Sequence, residues 1–410
     1  MIAGWTVIVT ALIYISILFL IAHYGDNAGQ GLMQGRFRST IYALTLAVFC
    51  SSWTFYGSVG VASLHGFDFL AIYVGPILLF LFGHQFLRRI IRLSKSQNIT
   101  SIADFVAARY GKSQTVAVLV SLIAVIGTVP YMALQLKAIA SSIFVVFEAM
   151  EPSGDHEPFI SQQNLSLVSS LLLAGFAAAF GTRHVDTKEH QYGLMLAIAV
   201  ESLIKLFCFV AVGLYVTYGM FDGLSEIVSR IAARDTVVPF LDRSTGLGHF
   251  FIPAFLSGLA VFLLPRQFHV TMVENREEGD FDLAVKLFPL YLIAINLFVV
   301  PLTLASDLIL PTGANRDMAV LELPLLGRNF FMMLTAFVGG LSAATAMVIV
   351  EGVALAIMIS NHIAIPLLLG RTKPGHKDMG SVVLLTRRLA ILAIMLMGHL
   401  YYCYVDDINL

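Results

Sequence analysis

Residues 50–60 read Cys50-Ser51-Ser52-Trp53-Thr54-Phe55-Tyr56-Gly57-Ser58-Val59-Gly60, a hydroxyl- and glycine-rich run set within a stretch apolar enough to cross a bilayer. Two readings fit such a run. It is either an unwound segment in a membrane helix or a face of small residues where two helices pack closely. The first carries a strong constraint. Backbone N–H and C=O groups in hydrocarbon must find partners, so a break survives only where protein covers it or a water-filled cavity adjoins it. Helices broken in this way aim freed amides and carbonyls at whatever the site binds.

Working outward, apolar stretches fill the chain at about 1–23, 39–62, 67–92, 115–149, 163–181, 190–220, 248–272, 283–308, 327–369 and 382–404. Each meets the roughly 20 residues needed to cross about 30 Å of hydrocarbon. Of 410 residues, 58% are apolar and 12% charged, against about 25% charged in soluble domains. With a mean hydropathy of +0.84, a water-soluble fold would expose large apolar patches and aggregate. The reading is one all-α integral membrane domain over 1–410, surrounded by lipid. The net charge of −1 and the lack of a basic stripe exclude a nucleic-acid partner. Cys50, Cys208 and Cys403 give neither a disulfide framework nor a metal spacing. The first stretch lacks a basic n-region and a small-residue cleavage site, so it is expected to stay as a helix, with a signal peptide as the alternative.

Lys and Arg in short loops set orientation. With the N-terminus outside, the inner loops hold Arg36, Arg38, Arg88, Arg89, Arg92, Lys95, Arg109, Lys112, Arg183, Lys188, Arg276, Lys286, Arg371, Lys373, Lys377, Arg387 and Arg388, most of the 25 basic residues. The outer side holds Arg230, Arg234, Arg243, Arg316 and Arg328, and its loop at 148–164 carries Glu151, Asp155 and Glu157. Leu224, Ile227, Val228 and Ile231 at helical spacing predict a helix lying flat on the outer surface. Ile102, Phe105, Val106 and Tyr110 predict another on the inner side, with capping residues at Ser101–Asp104.

Ionisable groups inside a bilayer are costly and mark pathways or paired structural contacts. Glu201 and Lys205 are four apart and share a helix face, either as an internal neutralised pair or as a proton-linked, solute-facing one. Glu351, His269 and Lys137 are further pathway candidates. Pro265 interrupts its span, and Arg266 just after it either reaches the inner interface or turns inward. Ser342 and Thr345 face one way, and their hydroxyls either ligate a small cation or bond back to their own helix.

These residues resemble the sodium:solute symporter family, to which proline permease and the sodium–galactose transporter belong. The carriers are Cys50–Gly60, the segment Asn98-Ile99-Thr100-Ser101-Ile102-Ala103-Asp104-Phe105 before Ala108-Arg109-Tyr110-Gly111, and Phe337–Met347. The closest likeness is to the transporter-like N-terminal domain of CbrA-type bacterial sensor histidine kinases, where Pro265-Arg266-Gln267-Phe268-His269-Val270 has a similar counterpart. The resemblance implies an inverted-repeat fold of five plus five helices behind a leading helix. That gives a leading helix at 1–23, repeat one at about 39–220, and repeat two at about 248–404 with its last helix missing from this chain. It implies a multi-pass protein of the bacterial inner membrane that binds and moves a small solute, with an amino acid expected, by alternating access. The alternative is a non-transporting solute sensor signalling to a fused C-terminal kinase. Substrate-lining residues would be Ser52, Trp53, Tyr56, Gln135 and Gln267. A coupling ion would meet the carbonyls of Cys50 and Trp53 and the hydroxyls of Ser342 and Thr345.

Two departures from the family pattern bear on that ion. The second expected hydroxyl falls on Ala343, and the acidic residue of proline permease's first broken helix appears here as Ser52. The coupling ion is thus left open between sodium and a proton, with no other cofactor expected. No nucleophile–base constellation and no Gly-rich nucleotide loop stand in the sequence, so no enzyme activity is expected of this chain.

Overall fold

The computed structural model describes residues 2–35, 37–150, 161–182, 191–233, 240–244, 246–311, 313–369 and 379–405. The expectations for Arg36, Glu151, Asp155, Glu157, Arg183, Lys188, Arg234, Arg371, Lys373 and Lys377 fall outside them. Among the described residues every regular element is helical. Among the described residues eight helices are long and apolar enough to cross a membrane, and a ninth span results if the pair Gly248–Leu263 and Pro265–Val273, bent by 54°, counts as one. The chain is an all-α multi-pass membrane protein.

The chain opens with a long helix, α1 (Ile2–Gln34). The stretch expected to cross at 39–62 comes in pieces. α2 (Arg38–Thr45) tightens into a 3-10 turn over Leu46–Phe49, stops at Cys50, and resumes as a wide π-turn over Trp53–Gly57 that leads into α3 (Ser58–His65). Gly66 follows at φ 58°, a backbone angle that glycine adopts without the Cβ penalty. α4 (Ala71–Phe82) and α5 (His84–Ser96) follow. The predicted inner helix is α6 (Ile102–Arg109), capped by the Ser101 hydroxyl, which accepts from the Asp104 amide at 3.1 Å. Its Ile102 is buried while Tyr110, just past its end, is exposed.

α7 (Gln114–Met150), α8 (Gln162–Phe180) and α9 (Tyr192–Tyr215) complete the first half. α10 (Leu224–Ala232) is the predicted amphipathic helix, burying Ile227 and leaving Leu224 and Val228 exposed. A second interrupted helix follows. α11 (Leu247–Leu263) ends where Leu264 turns extended at ψ 133°, α12 (Pro265–Phe268) restarts with proline in its first turn, and a π-turn covers His269–Val273. Proline suits that position because its missing N–H has no helical acceptor there. α13 (Asp280–Asn296), α14 (Val299–Ile309), α15 (Ala319–Leu326), α16 (Phe330–Ile359), α17 (Ile365–Leu369) and α18 (Met379–Tyr404) end the described fold.

Burial separates centre from edge. The most apolar window of the α16 span is 94% buried, against 22% for the α1 span. α16 packs on α7, α8, α9 and α18, whereas α1 lies against α9 and α7. Large apolar side chains such as Ile126, Phe207 and Phe255 point outward, as lipid-facing residues do. The two ends carry separate charge clusters. Arg38 bonds Asp280 at 2.9 Å and pairs with Glu277, Arg92 bonds Glu278 at 2.8 Å, and Arg88 pairs with Asp282. At the other end Arg243 meets Asp307 at 2.8 Å and Arg316 lies 3.6 Å from it.

Gly340 lets α16 approach the first interrupted helix, since a Cβ there would fall on the ring and hydroxyl of the fully buried Tyr56. Gly340→Val is expected to destabilise by about 1–3 kcal/mol, the usual range for overpacking. Thermal unfolding of the detergent-solubilised protein measures this. Gly127→Ala, where a Cβ meets nothing within 4 Å, is expected to show no loss.

Candidate functional site

At the first break the backbone becomes extended, with Cys50 at φ −81° and ψ 98°. The groups it frees find side chains. The amide and hydroxyl of Ser52 both donate to Gln135 Oε1, at 3.0 and 2.7 Å. The Ser51 hydroxyl meets the Tyr131 hydroxyl at 2.5 Å. Both partners lie on α7 just past Pro130, inside that helix. On the carbonyl side, Lys205 of α9 donates its Nζ to Ala47 O and to Cys50 O, each at 2.7 Å. Ser52, Gln135 and Lys205 are all fully buried.

One turn before Lys205 on the same face, Glu201 joins a second set. Its Oε1 accepts from the Thr345 hydroxyl at 2.6 Å and the Tyr14 hydroxyl at 3.0 Å, and its backbone carbonyl accepts from Ser342 at 2.8 Å. Thr345 also lies 2.9 Å from Leu341 O in its own helix. Glu201 and Lys205 thus reach different partners instead of each other. One face of α9 ties the first break, α16 and α1 together.

The second break meets the first. Gln267 Nε2 donates to Leu46 O at 3.4 Å. Arg266 turns inward, 3% exposed, with NH1 2.9 Å from Glu351 Oε2 and its guanidinium 4.9 Å from the Tyr131 ring centroid. Reach to the interface is therefore ruled out for Arg266. Arg266 Nε, Glu351 Oε1, Gln267 Oε1 and the Tyr56 hydroxyl have no hydrogen-bond partner among the described residues. His269 Nε2 lies 3.4 Å from Glu274 Oε1, away from this group.

Of the expected lining residues, Ser52 and Gln135 hold each other, while Trp53 is only partly buried beside Tyr73. Tyr56 and Gln267 sit against the two breaks. Of the expected ion-ligating atoms, Cys50 O contacts Lys205 and the hydroxyls of Ser342 and Thr345 contact Glu201, whereas Trp53 O accepts from Ser58 in its own helix. Sequence reading missed Tyr14, Ala47 and Tyr131. Tyr14 lies in an ordinary apolar stretch and reaches Glu201 across 187 positions, so only its hydroxyl distinguished it.

Compared with known proteins, the chain matches no family model. It is 24% identical over 286 residues to YodF of Bacillus subtilis, named as an uncharacterized symporter, which covers 69% of this chain and 53% of that protein. It is 22% identical over 327 residues to the same organism's YhjB, also named as an uncharacterized symporter, covering 78% of this chain and 62% of the relative. The chain thus spans less than two thirds of either relative. It superposes with TM-score 0.68 and 15% identity on a substrate-bound, outward-open Na+-coupled sialic acid symporter, covering 97% of this chain and 82% of that one. The fold is that of a symporter.

Gln135→Ala removes the acceptor for both Ser52 donors. A buried group left unpaired costs about 1–3 kcal/mol. Thermal unfolding is expected to show a larger loss for Gln135→Ala than for Ser52→Ala, which leaves only the amide to satisfy; equal losses would show that the amide does not depend on Gln135.

Proposed function

We propose that this chain is the membrane domain of a secondary transporter that binds a small solute between its two interrupted helices and moves it by alternating access, with an amino acid as the solute. Symporter relatives and a symporter fold support the transport reading. One observation carries the amino-acid reading: a guanidinium and a carboxylate lie side by side in the interior, each with an unpaired atom, Arg266 Nε and Glu351 Oε1. A zwitterion presents one anion and one cation, and buried charges need such partners. The Tyr131 ring supplies an aromatic wall beside the guanidinium.

In this reading a leading helix at 1–23 precedes two oppositely oriented repeats, at about 39–220 and 248–404, each opening with an interrupted helix. The Lys/Arg bias of the loops favours an N-terminus outside the bacterial inner membrane. The alternative is a solute sensor that passes binding to a fused histidine kinase. It draws on the run Pro265–Val270, all of it buried next to the first break.

Uptake of radiolabelled amino acids into proteoliposomes holding the chain tests the proposal. Arg266→Lys and Glu351→Gln are each expected to lower uptake at least tenfold, the loss of about 1.4 kcal/mol of recognition, while the protein still purifies as folded. Uptake unchanged in both variants would remove the amino-acid assignment. Solute binding without accumulation would favour the sensor.

A further inference from the structure

We propose that Lys205 is a built-in cation that fills the carbonyl site of the first break, so that this protein's solute binding does not depend on sodium. The proposal deepens the transporter reading, on which it rests, by assigning the ionic requirement of that site.

Leaving the helix at Cys50 puts the carbonyls of Ala47 and Cys50 in a fully buried setting. Two carbonyl dipoles converging on one point form a cation site. Here the point is taken: Lys205 Nζ lies 2.7 Å from each oxygen. The ammonium in turn needs these oxygens, since a fully buried charge without them would be left unsolvated.

The remaining oxygens that would complete a shell for a free cation are also engaged. Ser342 and Thr345 donate to Glu201, at its backbone carbonyl and its carboxylate, which holds both hydroxyls against α9. Glu201 is further held by Tyr14. Two residues one turn apart on α9 therefore engage most of the ligand set, Lys205 the carbonyl of Cys50 together with that of Ala47 and Glu201 the two hydroxyls, while Trp53 O accepts from Ser58 in its own helix. A second cation beside the Lys205 ammonium meets like-charge repulsion in a low-dielectric interior, where such repulsion is strong. Removing the ammonium leaves the carbonyls of Ala47 and Cys50 without a cation, and Glu201, one turn away on α9, supplies a carboxylate whose charge suits sodium.

The test reads the ion and not the solute, so it stands or fails separately from the identity of the transported molecule. Binding of radioactive sodium to the purified 410-residue chain is measured by scintillation proximity, in parallel with thermal unfolding in sodium chloride and in choline chloride. The wild type is expected to bind no saturable sodium up to physiological concentrations and to melt alike in both salts. Lys205→Ala and Lys205→Met are expected to gain saturable sodium binding and a sodium-specific rise in melting temperature. Saturable sodium binding by the wild type would overturn the proposal, and so would a folded Lys205 variant that gains none. Should neither variant survive purification, the wild-type isotherm alone decides.

Discussion

A peptide backbone that leaves helical geometry inside a membrane must still satisfy its amides and carbonyls, because no water is there to do so. At Cys50–Ser51 this requirement is met by side chains from two other helices. Gln135 of α7 takes the Ser52 amide, and Lys205 of α9 takes the carbonyls of Ala47 and Cys50. An extended residue in mid-span is therefore not a local matter of helix propensity. It requires α7 and α9 to flank α2 and α3 at fixed height, and the fold around them is arranged accordingly.

The same constraint links the two interrupted helices. Leu264 frees backbone groups in the second, and Gln267 spans back to Leu46 of the first. Arg266 and Glu351 bind that region to α16, the most buried span. A buried ion pair of this kind is poor evidence for stability, since desolvation offsets much of the attraction. It stands beside unpaired polar atoms of both partners, Arg266 Nε and Glu351 Oε1. At the first break the Lys205 side chain brings a cation to the carbonyls of Ala47 and Cys50.

Much of this was legible in the residues. The hydroxyl-rich run at Cys50–Gly60 and the proline at 265 mark both breaks, because glycine, serine and proline weaken the helical ladder locally. The i, i+4 spacing of Glu201 and Lys205 gave their shared face. What could not be read is where side chains end. Tyr14 to Glu201, Gln135 to Ser52 and Lys205 to Ala47 join positions 187, 83 and 158 residues apart, and no local pattern encodes such pairings. Within the expected span at 39–62 the break falls at Cys50, the first residue of the run that marks it; hydropathy alone counts apolar residues and does not register the extended residue that divides them.

The most direct measurement is a density map of the purified protein in lipid nanodiscs, recorded in sodium buffer and fine enough to show side chains. The expected map has an extended backbone at Cys50 and Lys205 density continuous with the carbonyls of Ala47 and Cys50. Regular helix running unbroken through residues 46–57, or Lys205 turned away from a separate ion peak between those carbonyls, would contradict the arrangement on which the site depends.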